Sequence, residues 1–351
     1  MRWRRGTGIG ALAVLALAGM AGTASARTLV VNSGESIQRH VDRARGGDTV
    51  LVRAGTYRQS VDINKGITLR GQGSVLLPGS RGTSLCNRFG EGTLTGICVH
   101  GKLRFSEDGP SLARPVRNVS VRGFNIRGFN GDGLFGFGTR QLRVVNNRFV
   151  GNGGYGVFSL LSRGTHIRKN IARRNDDFAF YVGDSRRARA VIRNNRATGG
   201  HGGILVRNAS IGRITHNVVS RNCVGIWVLA DAPGPASHWR VAGNRAIANN
   251  RGCPADPEEG PPLSGLGILV VGARDVLVKN NVARQHRRMH PSVGSAGIAI
   301  VRGDRNPPRR VRVAHNLVLN NRPADIFWDR SGGVRFISNQ CRRSSPARIC
   351  N

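Results

Sequence analysis

The chain has 351 residues, with 54 Lys+Arg against 19 Asp+Glu and a formal net charge of +35. Apolar residues make up 39% and are spread along the whole length, which excludes an intrinsically disordered chain. The 49 glycines have no three-residue period, which excludes a collagen-like triple helix.

The first 26 residues have the pattern of a secretory signal peptide. Three arginines stand within the first five residues, an apolar run covers residues 9–22, and Ala24-Ser25-Ala26 is a small-residue cleavage site. The apolar run is shorter than the ~20 residues of a membrane-spanning helix, and no second run is long enough to span a membrane. We therefore expect cleavage after Ala26, export, and one mature domain over residues 27–351.

A short helix and the first strands are the next predicted elements. Residues 33–46 have the apolar spacing of a short amphipathic helix, with Ser36 or Ser33 as its N-cap. Strand-like segments follow at residues 49–52, 54–57 and 67–71. The helix is a predicted cap, because the first coil of a strand stack otherwise exposes apolar surface and a strand edge.

The rest of the chain is built from a repeat. A pattern of the form apolar-x-apolar-x-x-Asn-x-apolar recurs, with its asparagines at Asn147, Asn170, Asn195, Asn217, Asn244, Asn281, Asn316 and Asn339. Between these asparagines lies a second recurring piece, usually Gly-Ile-x-Val. Both pieces alternate like strands, and no linking segment has room for the helix of a βαβ unit. The fold class predicted is all-β, a parallel β-helix of about ten coils at the ~4.8 Å strand spacing.

We expect the repeated asparagine to adopt the left-handed bend between strands and to hydrogen-bond to its equivalents one coil above and below. The extra length before Asn281 and Asn316 predicts two loops, which contain residues 253–259 and 287–291.

Six cysteines in an exported chain indicate disulfides, although six cysteines allow 15 pairings. We favour the pairing of nearest neighbours, which closes the C-terminal tail 340–351. The pairs are Cys86–Cys98, Cys223–Cys253 and Cys341–Cys350. Zinc is the alternative, but the chain has no C-x-x-C spacing.

The stretch SIQRHVDRARGGDTVLVRAGTYRQSVDINKGITLRGQG, followed by the asparagine-bearing coils, resembles the secreted right-handed parallel β-helix family of pectate-lyase-like (pectin lyase-like) fold. It is similar in particular to exported actinobacterial members with a cysteine-closed tail. The resemblance covers residues 28–350 and implies a single-stranded right-handed β-helix. It implies no single activity, because the family holds pectate and alginate lyases, uronate epimerases, glycoside hydrolases and members of no known activity.

Alignment of the coils on the asparagine predicts a basic column on one sheet face. The position four residues before each asparagine reads Arg143, His166, Val191, Arg213, Arg240, Leu277, Arg312 and Arg335. A repeated row of positive charge suits an acidic polysaccharide or another polyanion, in a salt-sensitive manner. The alternative is a solvated, arginine-rich surface. Export disfavours a nucleic-acid partner.

A second outward column is apolar, and reads Phe135, Phe158, Tyr181, Leu205, Trp227, Leu269, Ala299 and Phe327. Three hypotheses account for it: insertions such as residues 80–115 cover it, it stacks sugars with Tyr181 and Trp227, or it is a self-association face.

The repeat assembles one candidate catalytic cluster: Asp176, Asp177, His201, Tyr181 and Arg207, with Asp184 nearby. A lyase or epimerase needs a base near the sugar C5, here His201 or Tyr181, and a cation such as Arg207 beside the uronate carboxylate. A glycoside hydrolase would instead use two of the three aspartates. We expect no cofactor, with Ca²⁺ at the acidic turns as a hypothesis. The alternative is that these residues have no catalytic role and that their side chains hydrogen-bond to their own backbone in turns.

The chain departs from known catalytic motifs. It has no Asp-Pro-His stretch like that of alginate epimerases, and Gly200-His201-Gly202 only resembles a hydrolase motif. The sequence therefore favours an exported β-helix protein that binds an acidic polysaccharide, with cleavage or epimerisation of that polymer as a further hypothesis. The alternative is a non-catalytic envelope or surface protein whose rod presents a face to a partner.

Overall fold

The computed structural model describes residues 25–80, 85–89, 92–106, 109–231, 234–255 and 260–350. Residues 1–24 of the predicted signal peptide and residues 256–259 of the first predicted loop lie outside the described residues. The described chain winds as a single-stranded, right-handed parallel β-helix, as predicted. Each coil contributes one strand to each of three faces, named here face 1, face 2 and face 3 in chain order.

The strands of each face pair in parallel with those of the next coil. Face 1 contains Thr28–Val31, Thr49–Val52, the first parts of Thr68–Leu77 and Ser120–Arg127, Arg143–Val145, His166–Arg168, Ala190–Arg193, Ser210–Thr215, Ser237–Ala242, Arg274–Lys279, Val311–Ala314 and Val334–Ile337. Face 2 contains Thr56–Arg58, the second parts of the same two long strands, Arg148–Val150, Ile171–Arg173, Arg196–Thr198, Val218–Ser220, Arg245–Ile247, Val282–Arg284 and Leu317–Leu319. Face 3 contains Val61–Ile63, Ile97–His100, Leu134–Phe137, Val157–Leu160, Phe178–Gly183, Gly202–Arg207, Val224–Leu229, Leu266–Val271, Ala296–Val301, Ala324–Trp328 and Ser344–Ser345.

The remaining elements lie at the N-terminal end and beside the rod. They are the α-helix Ile37–Arg43, the 3₁₀-helix Leu85–Phe89, the antiparallel hairpin Lys102–Ser106 with Gly109–Arg114, and the short pair Val116–Arg117 with Thr139–Arg140. The α-helix is the predicted cap and begins after Ser36, whose Oγ accepts a hydrogen bond from Arg39 N at 3.2 Å. Its Ile37 and Val41 are buried against the first coil.

The interior of the rod is filled by the inward side chains of the strands, stacked coil on coil. On face 1, Ile167, Ile192 and Ile214 follow one another in register and are fully buried. Face 3 has the same arrangement in Ile204 and Ile226. Removal of this apolar surface from water, at roughly 25 cal/mol per Å², is the main force that holds coil on coil.

The asparagine ladder between faces 1 and 2 is confirmed. Asn195 Nδ2 donates to Asn217 Oδ1 at 3.0 Å and to the carbonyl oxygen of Ile167 at 2.9 Å. Asn195 Oδ1 accepts from Asn170 Nδ2 at 3.1 Å and from Asn170 N at 2.9 Å. The pattern runs from Asn147 to Asn339, and all eight amides are buried.

The expectation that the ladder asparagine itself adopts the left-handed bend is wrong. The residue before each ladder asparagine has the positive φ, between 45° and 66°. These residues are Asn146, Lys169, Asn194, His216, Gly243, Asn280, His315 and Ser338. Because the bend is made one residue earlier, the amide that follows points into the rod, where it meets its equivalents.

A second ladder, which the repeat pattern did not predict, lies between faces 2 and 3. Asn222 Nδ2 donates to Asn249 Oδ1 at 3.0 Å, and the Asn249 amide then contacts His286 Nε2 at 3.1 Å. His286 Nδ1 lies 2.8 Å from Asn321 Oδ1. In two coils another residue, Gly200 or His286, takes the place of asparagine. The asparagine therefore does not recur regularly enough in the sequence for this ladder to be predicted.

The second ladder explains the glycine of the Gly-Ile-x-Val repeat. A Cβ on Gly297 would lie 2.5 Å from Asn321 Nδ2, and one on Gly267 would lie 2.8 Å from the His286 ring. In the next coil Asp325 replaces this glycine, and its Oδ1 accepts from Asn321 Nδ2 at 2.9 Å. The ladder therefore ends on a carboxylate.

The structure contains three disulfides, Cys86–Cys98, Cys223–Cys253 and Cys341–Cys350, which are the nearest-neighbour pairs. They tie the 3₁₀-helix, the loop after residue 247 and the C-terminal tail to the rod. Within the described ranges, no helix has the length and apolar character to cross a membrane.

The first prediction concerns the ladder. Asn195→Ala removes the hydrogen-bond partners of Asn170 and leaves the Ile167 carbonyl without its donor. We expect a loss of about 2–4 kcal/mol in the free energy of unfolding, measured by urea denaturation, because buried polar groups lose their partners. Asn64→Ala, at an exposed asparagine, is the control and is expected to change stability by less than about 0.5 kcal/mol. Equal effects of the two variants would contradict the ladder's role.

The second prediction concerns pH. Burial lowers the pKa of His286 from 6.5 to about 4, so the folded protein holds a neutral imidazole between two amides. As the pH falls from 6.5 to 4, His286 binds a proton in the unfolded chain but not in the folded chain. About 3 kcal/mol of the free energy of unfolding is lost as a result. His286→Asn places an asparagine between Asn249 and Asn321 and removes this loss. Denaturation curves of both proteins at pH 7 and pH 4.5 test the difference, and parallel pH dependences would contradict it.

Candidate functional site

The outward column of face 3 is in register, as the sequence predicts. Phe158, Tyr181, Leu205 and Trp227 are paired neighbours on successive coils, and Phe135, Leu269, Ala299 and Phe327 extend the column in both directions. These side chains form apolar clusters separate from the interior of the rod. Face 3 therefore carries apolar side chains on both sides of its sheet.

The N-terminal end of this column is covered. Cys98 precedes Phe135 in the column, and its disulfide holds Cys86 of the 3₁₀-helix over the sheet. Leu85 and Leu103 pack against the same cluster. The covering hypothesis holds for this end of the rod, where the insertion after residue 80 supplies the cover.

The C-terminal half of the column lines a cleft of about 670 Å³. Its floor is Leu205, Trp227, Leu269, Ala299 and Phe327. The two loops that interrupt the repeat supply its sides through Gly260, Pro261, Leu263, Val293, Gly294 and Ser295. The cleft is the site that face 3 leaves for a ligand, and its walls are mainly aliphatic.

One side of the cleft carries an ion pair. Arg207 Nε donates to Asp231 Oδ2 at 2.8 Å, and both side chains line the cleft. Burial raises the pKa of the Asp184 carboxyl, which lies near both of them. The sequence placed Arg207 near Asp184 but missed Asp231, because Asp231 lies in an irregular turn outside the repeat. Trp227 Nε1 is buried at the floor and has no hydrogen-bond partner among the described residues.

The other end of the cleft brings together Tyr155, Asp177 and Asp132. The Tyr155 hydroxyl donates a hydrogen bond to the Asp177 carboxylate, and both residues line the cleft. Behind them, Asp132 Oδ1 accepts from Tyr155 N at 2.8 Å. Burial raises the pKa of Asp132 to about 7, and the negative charge of Asp177 acts in the same direction. Burial and Asp177 also raise the pKa of the Tyr155 hydroxyl.

The sequence pattern did not predict Asp132 and Tyr155 as site residues. Leu134, Val157 and Phe180 are paired inward residues of three successive coils. Asp132, Tyr155 and Phe178 each lie two residues earlier and form one outward column. Alignment of the coils on that inward residue is the signal that could have found them. The alignment on asparagine did not include the coil of Asp132, because Phe124 stands there in place of the ladder asparagine. The position of Tyr155 shows no repeated residue type, since it reads Phe178, Gly202 and Val224 in the coils that follow.

The predicted cluster is only partly assembled. Asp177 and His201 stand at equivalent turns and are buried, and Asp177 Oδ1 accepts from Phe178 N at 2.7 Å. The His201 ring centroid lies 5.4 Å from that of Phe178, and His201 does not line the cleft. Tyr181 is buried, its ring lies over Gly183, and it does not line the cleft. Asp176 is exposed and points away.

Face 1 carries the basic column in the predicted register. Arg143, His166, Arg213, Arg240, Arg312 and Arg335 lie on it, together with Val191 and Leu277. Two residues on, a parallel column contains Arg122, Arg168, Arg193 and Lys279. Neither column contains Asp or Glu over these coils. Burial, together with the charges of Arg168, Arg143 and Arg213, lowers the pKa of His166, a sign of the positive potential here.

Within the part of the chain that the structure describes, no three His, Cys, Asp or Glu side chains are grouped to hold a metal ion. The hypothesis of Ca²⁺ at the acidic turns stays a prediction.

A rod of parallel coils with two stacked amide ladders defines the class as a parallel β-helix protein. The sequence profile described as "right handed beta helix region" matches residues 59–200, 113–246 and 181–341. These overlapping matches cover more than half of the chain, and the protein belongs to the right-handed β-helix family. No curated protein matches the chain in sequence.

Solved structures share the fold. The A-module of Azotobacter vinelandii mannuronan C-5 epimerase AlgE6 has a TM-score of 0.63 and 17% identity, over 88% of this chain and 83% of that chain. The A-module of AlgE4 from the same organism has a TM-score of 0.61 and 17% identity, over 88% and 91%. The catalytic domain of a GH87 α-1,3-glucanase in complex with tetrasaccharides has a TM-score of 0.58 and 14% identity, over 92% and 66%.

The third prediction tests the acidic end of the cleft. Because the folded-state pKa of Asp132 lies above its ordinary 3.8, the unfolded chain loses its proton first and stability falls as the pH rises from about 4 through 7. Asp132→Asn keeps the acceptor for Tyr155 N and removes this fall. We expect urea denaturation to show that the free energy of unfolding of the variant, relative to the native chain, is higher at pH 8 than at pH 4.5. Asp176→Asn, at the exposed carboxylate, is the control, and the same gain in both variants would contradict the account.

Proposed function

We propose that the protein acts outside the cytoplasm and binds an acidic polysaccharide along face 1. The observation that carries the proposal is the in-register basic column from Arg143 to Arg335, with its parallel column and no acidic residue in either. Rungs spaced at ~4.8 Å present a repeated charge to a polymer whose own charge repeats. A compact ligand would engage only a small part of such a surface.

Two further observations support this proposal. The chain has three disulfides, which form and persist in oxidising compartments. The structures that share its fold include a mannuronan epimerase and an α-1,3-glucanase, whose substrates are polysaccharides. The first of these substrates is a polyuronate, the class of polymer that a basic face attracts.

The acid–base groups of the face 3 cleft support a second candidate function, polyuronate cleavage or C5 epimerisation. Both reactions begin with removal of the C5 proton, which needs a base and a cation near the uronate carboxylate. The Tyr155 hydroxyl donates a hydrogen bond to Asp177 at the end of the cleft, and Arg207 lies along its side. In this proposal Tyr155 takes the role that the sequence gave to Tyr181, and His201 supports the turn from behind.

The cleft also argues for the alternative, a rod that binds without catalysis. Arg207 is already paired with Asp231, so a substrate carboxylate competes with a protein carboxylate for the same guanidinium. The floor of the cleft is apolar and lacks a repeated row of charge like that of face 1. Binding on face 1 does not depend on either outcome, and the two candidates are tested separately.

The fourth prediction tests face 1. Arg213→Gln together with Arg240→Gln is expected to weaken binding of polygalacturonate at least about tenfold at 50 mM NaCl, because two neighbouring rungs lose their charge. Isothermal titration calorimetry measures the change. Arg39→Gln with Arg43→Gln on the cap helix removes the same charge from another exposed surface and serves as the control. Equal losses in both double variants would show a general charge effect and sink the proposal.

The fifth prediction tests the cleft. Incubation with a panel of polyuronates, followed by the ultraviolet absorbance of new double bonds and by proton NMR for epimerised residues, is expected to detect turnover. Tyr155→Phe and Asp177→Asn are then expected to lower the rate at least ~100-fold, the usual scale for loss of an acid or base. Asp176→Asn is the control and keeps full activity. Absence of turnover on every polymer, with intact binding, would leave the non-catalytic function.

A further inference from the structure

A second basic surface lies on face 2, apart from both the face 1 column and the face 3 cleft. Arg173, Arg174, Arg196, Arg221 and Arg245 line a depression of about 830 Å³, named here the face 2 groove. All five side chains are exposed. The depression contains no carboxylate among its lining residues, although the chain as a whole has 19.

The register of the coils places these arginines around a common centre. Arg196 and Arg245 stand in one column with Val218 between them, so they are two rungs or ~9.6 Å apart at the ~4.8 Å strand spacing. In the turn that leaves face 2, Arg174 and Arg221 bracket Gly199 in the same way, because Arg173, Thr198 and Ser220 pair on successive coils.

Small residues make the floor of the groove. Thr198, Gly199, Val218 and Ser220 lie between the arginines. Gly199 has a φ of +78°, and Arg174 and Arg221 make the same left-handed turn in the neighbouring coils. The Gly199 carbonyl oxygen accepts a hydrogen bond from the Arg251 guanidinium, which adds a sixth positive charge at this point. The polar side chains of this floor are the hydroxyls of Thr198 and Ser220, both able to donate.

Guanidinium groups that converge from several coils favour a tetrahedral oxyanion. An arginine fork engages two oxygens at once, and a sulfate or phosphate ester offers three terminal oxygens in different directions. Two arginines on different coils can therefore bind one ester group. A carboxylate offers only two oxygens, both in one plane, so it presents fewer directions to arginines that converge from different coils.

The groove is long enough for a chain. It continues into a second depression of about 500 Å³, which shares Ala248 and Gln285 with the first and is lined by Arg287 and Arg322. From the coil of Arg173 to that of Arg322 the rod advances five strand spacings, or ~24 Å. A single ion would occupy a small part of this length.

We infer that the face 2 groove binds sulfate or phosphate ester groups carried along a glycan chain. The inference rests on the proposed function only in taking a polysaccharide as the ligand, since the groove and face 1 share no residue. The two surfaces divide their ligands by chemistry, with carboxylates on face 1 and tetrahedral esters on face 2.

The test compares two triple variants with equal loss of charge. The groove variant is Arg196→Gln, Arg221→Gln and Arg245→Gln, and the face 1 variant is Arg213→Gln, Arg240→Gln and Arg312→Gln. Binding of dextran sulfate, phosphorylated mannan and polygalacturonate is measured at 150 mM NaCl, with circular dichroism to check folding. We expect the groove variant to lose at least about tenfold in affinity for one of the two ester polymers and the face 1 variant less than about threefold.

The comparison of dextran sulfate with phosphorylated mannan identifies which ester the groove takes. A third variant with Lys at the same three groove positions keeps the charge but lacks the fork, and we expect it to lose at least about threefold on the same polymer. Equal losses in the groove and face 1 variants, no loss in the groove variant, or an equal loss on polygalacturonate would each overturn the inference. Unchanged polygalacturonate binding by the face 1 variant would refute the face 1 proposal alone.

Discussion

The amide of each ladder asparagine meets three requirements at once. It donates to the next amide, donates to a backbone carbonyl of the preceding coil and accepts from the amide before it, all away from water. A buried amide without these partners costs stability, so a coil that slips by one residue loses both its hydrogen bonds and its apolar stacking. In-register stacking is therefore the constraint on which the faces, the groove and the cleft depend, since each is built from residues two dozen positions apart.

The stacking also separates the charges. Outward positions on faces 1 and 2 are rich in arginine, whereas Asp132, Asp177, Asp184 and Asp231 lie at the turns that border face 3. A polyanion is attracted to the first two faces and repelled by carboxylates at the third. The cleft has mainly apolar walls, and its lining carries three aspartates, Asp177, Asp231 and Asp304, against the single Arg207. The surfaces proposed to bind a polymer and the cleft proposed to act on it are thus distinct parts of one rod.

The fold could be predicted because its signal repeats. The inward aliphatic positions recur along the rod, and the first asparagine ladder runs through eight successive coils from Asn147 to Asn339. The register and both outward columns therefore followed from alignment alone. The acidic end of the cleft could not, because the coil of Asp132 has Phe124 in place of the ladder asparagine and so lies outside the repeat that aligns the other coils. Asp231 and the sides of the cleft come from irregular loops that carry no period. The left-handed residue was misplaced by one position because an asparagine is a reasonable candidate for either role.

A double-mutant cycle on the ladder tests the stacking most directly. Asn195→Ala and Asn217→Ala, alone and together, give a coupling energy from urea denaturation, and the direct amide contact predicts at least about 0.5–1 kcal/mol. Asn195→Ala with Asn316→Ala, four coils apart, is the reference pair and is predicted to be additive within ~0.5 kcal/mol. Additivity in the adjacent pair, or equal coupling in both pairs, would contradict a rod held in register by contacts between neighbouring coils.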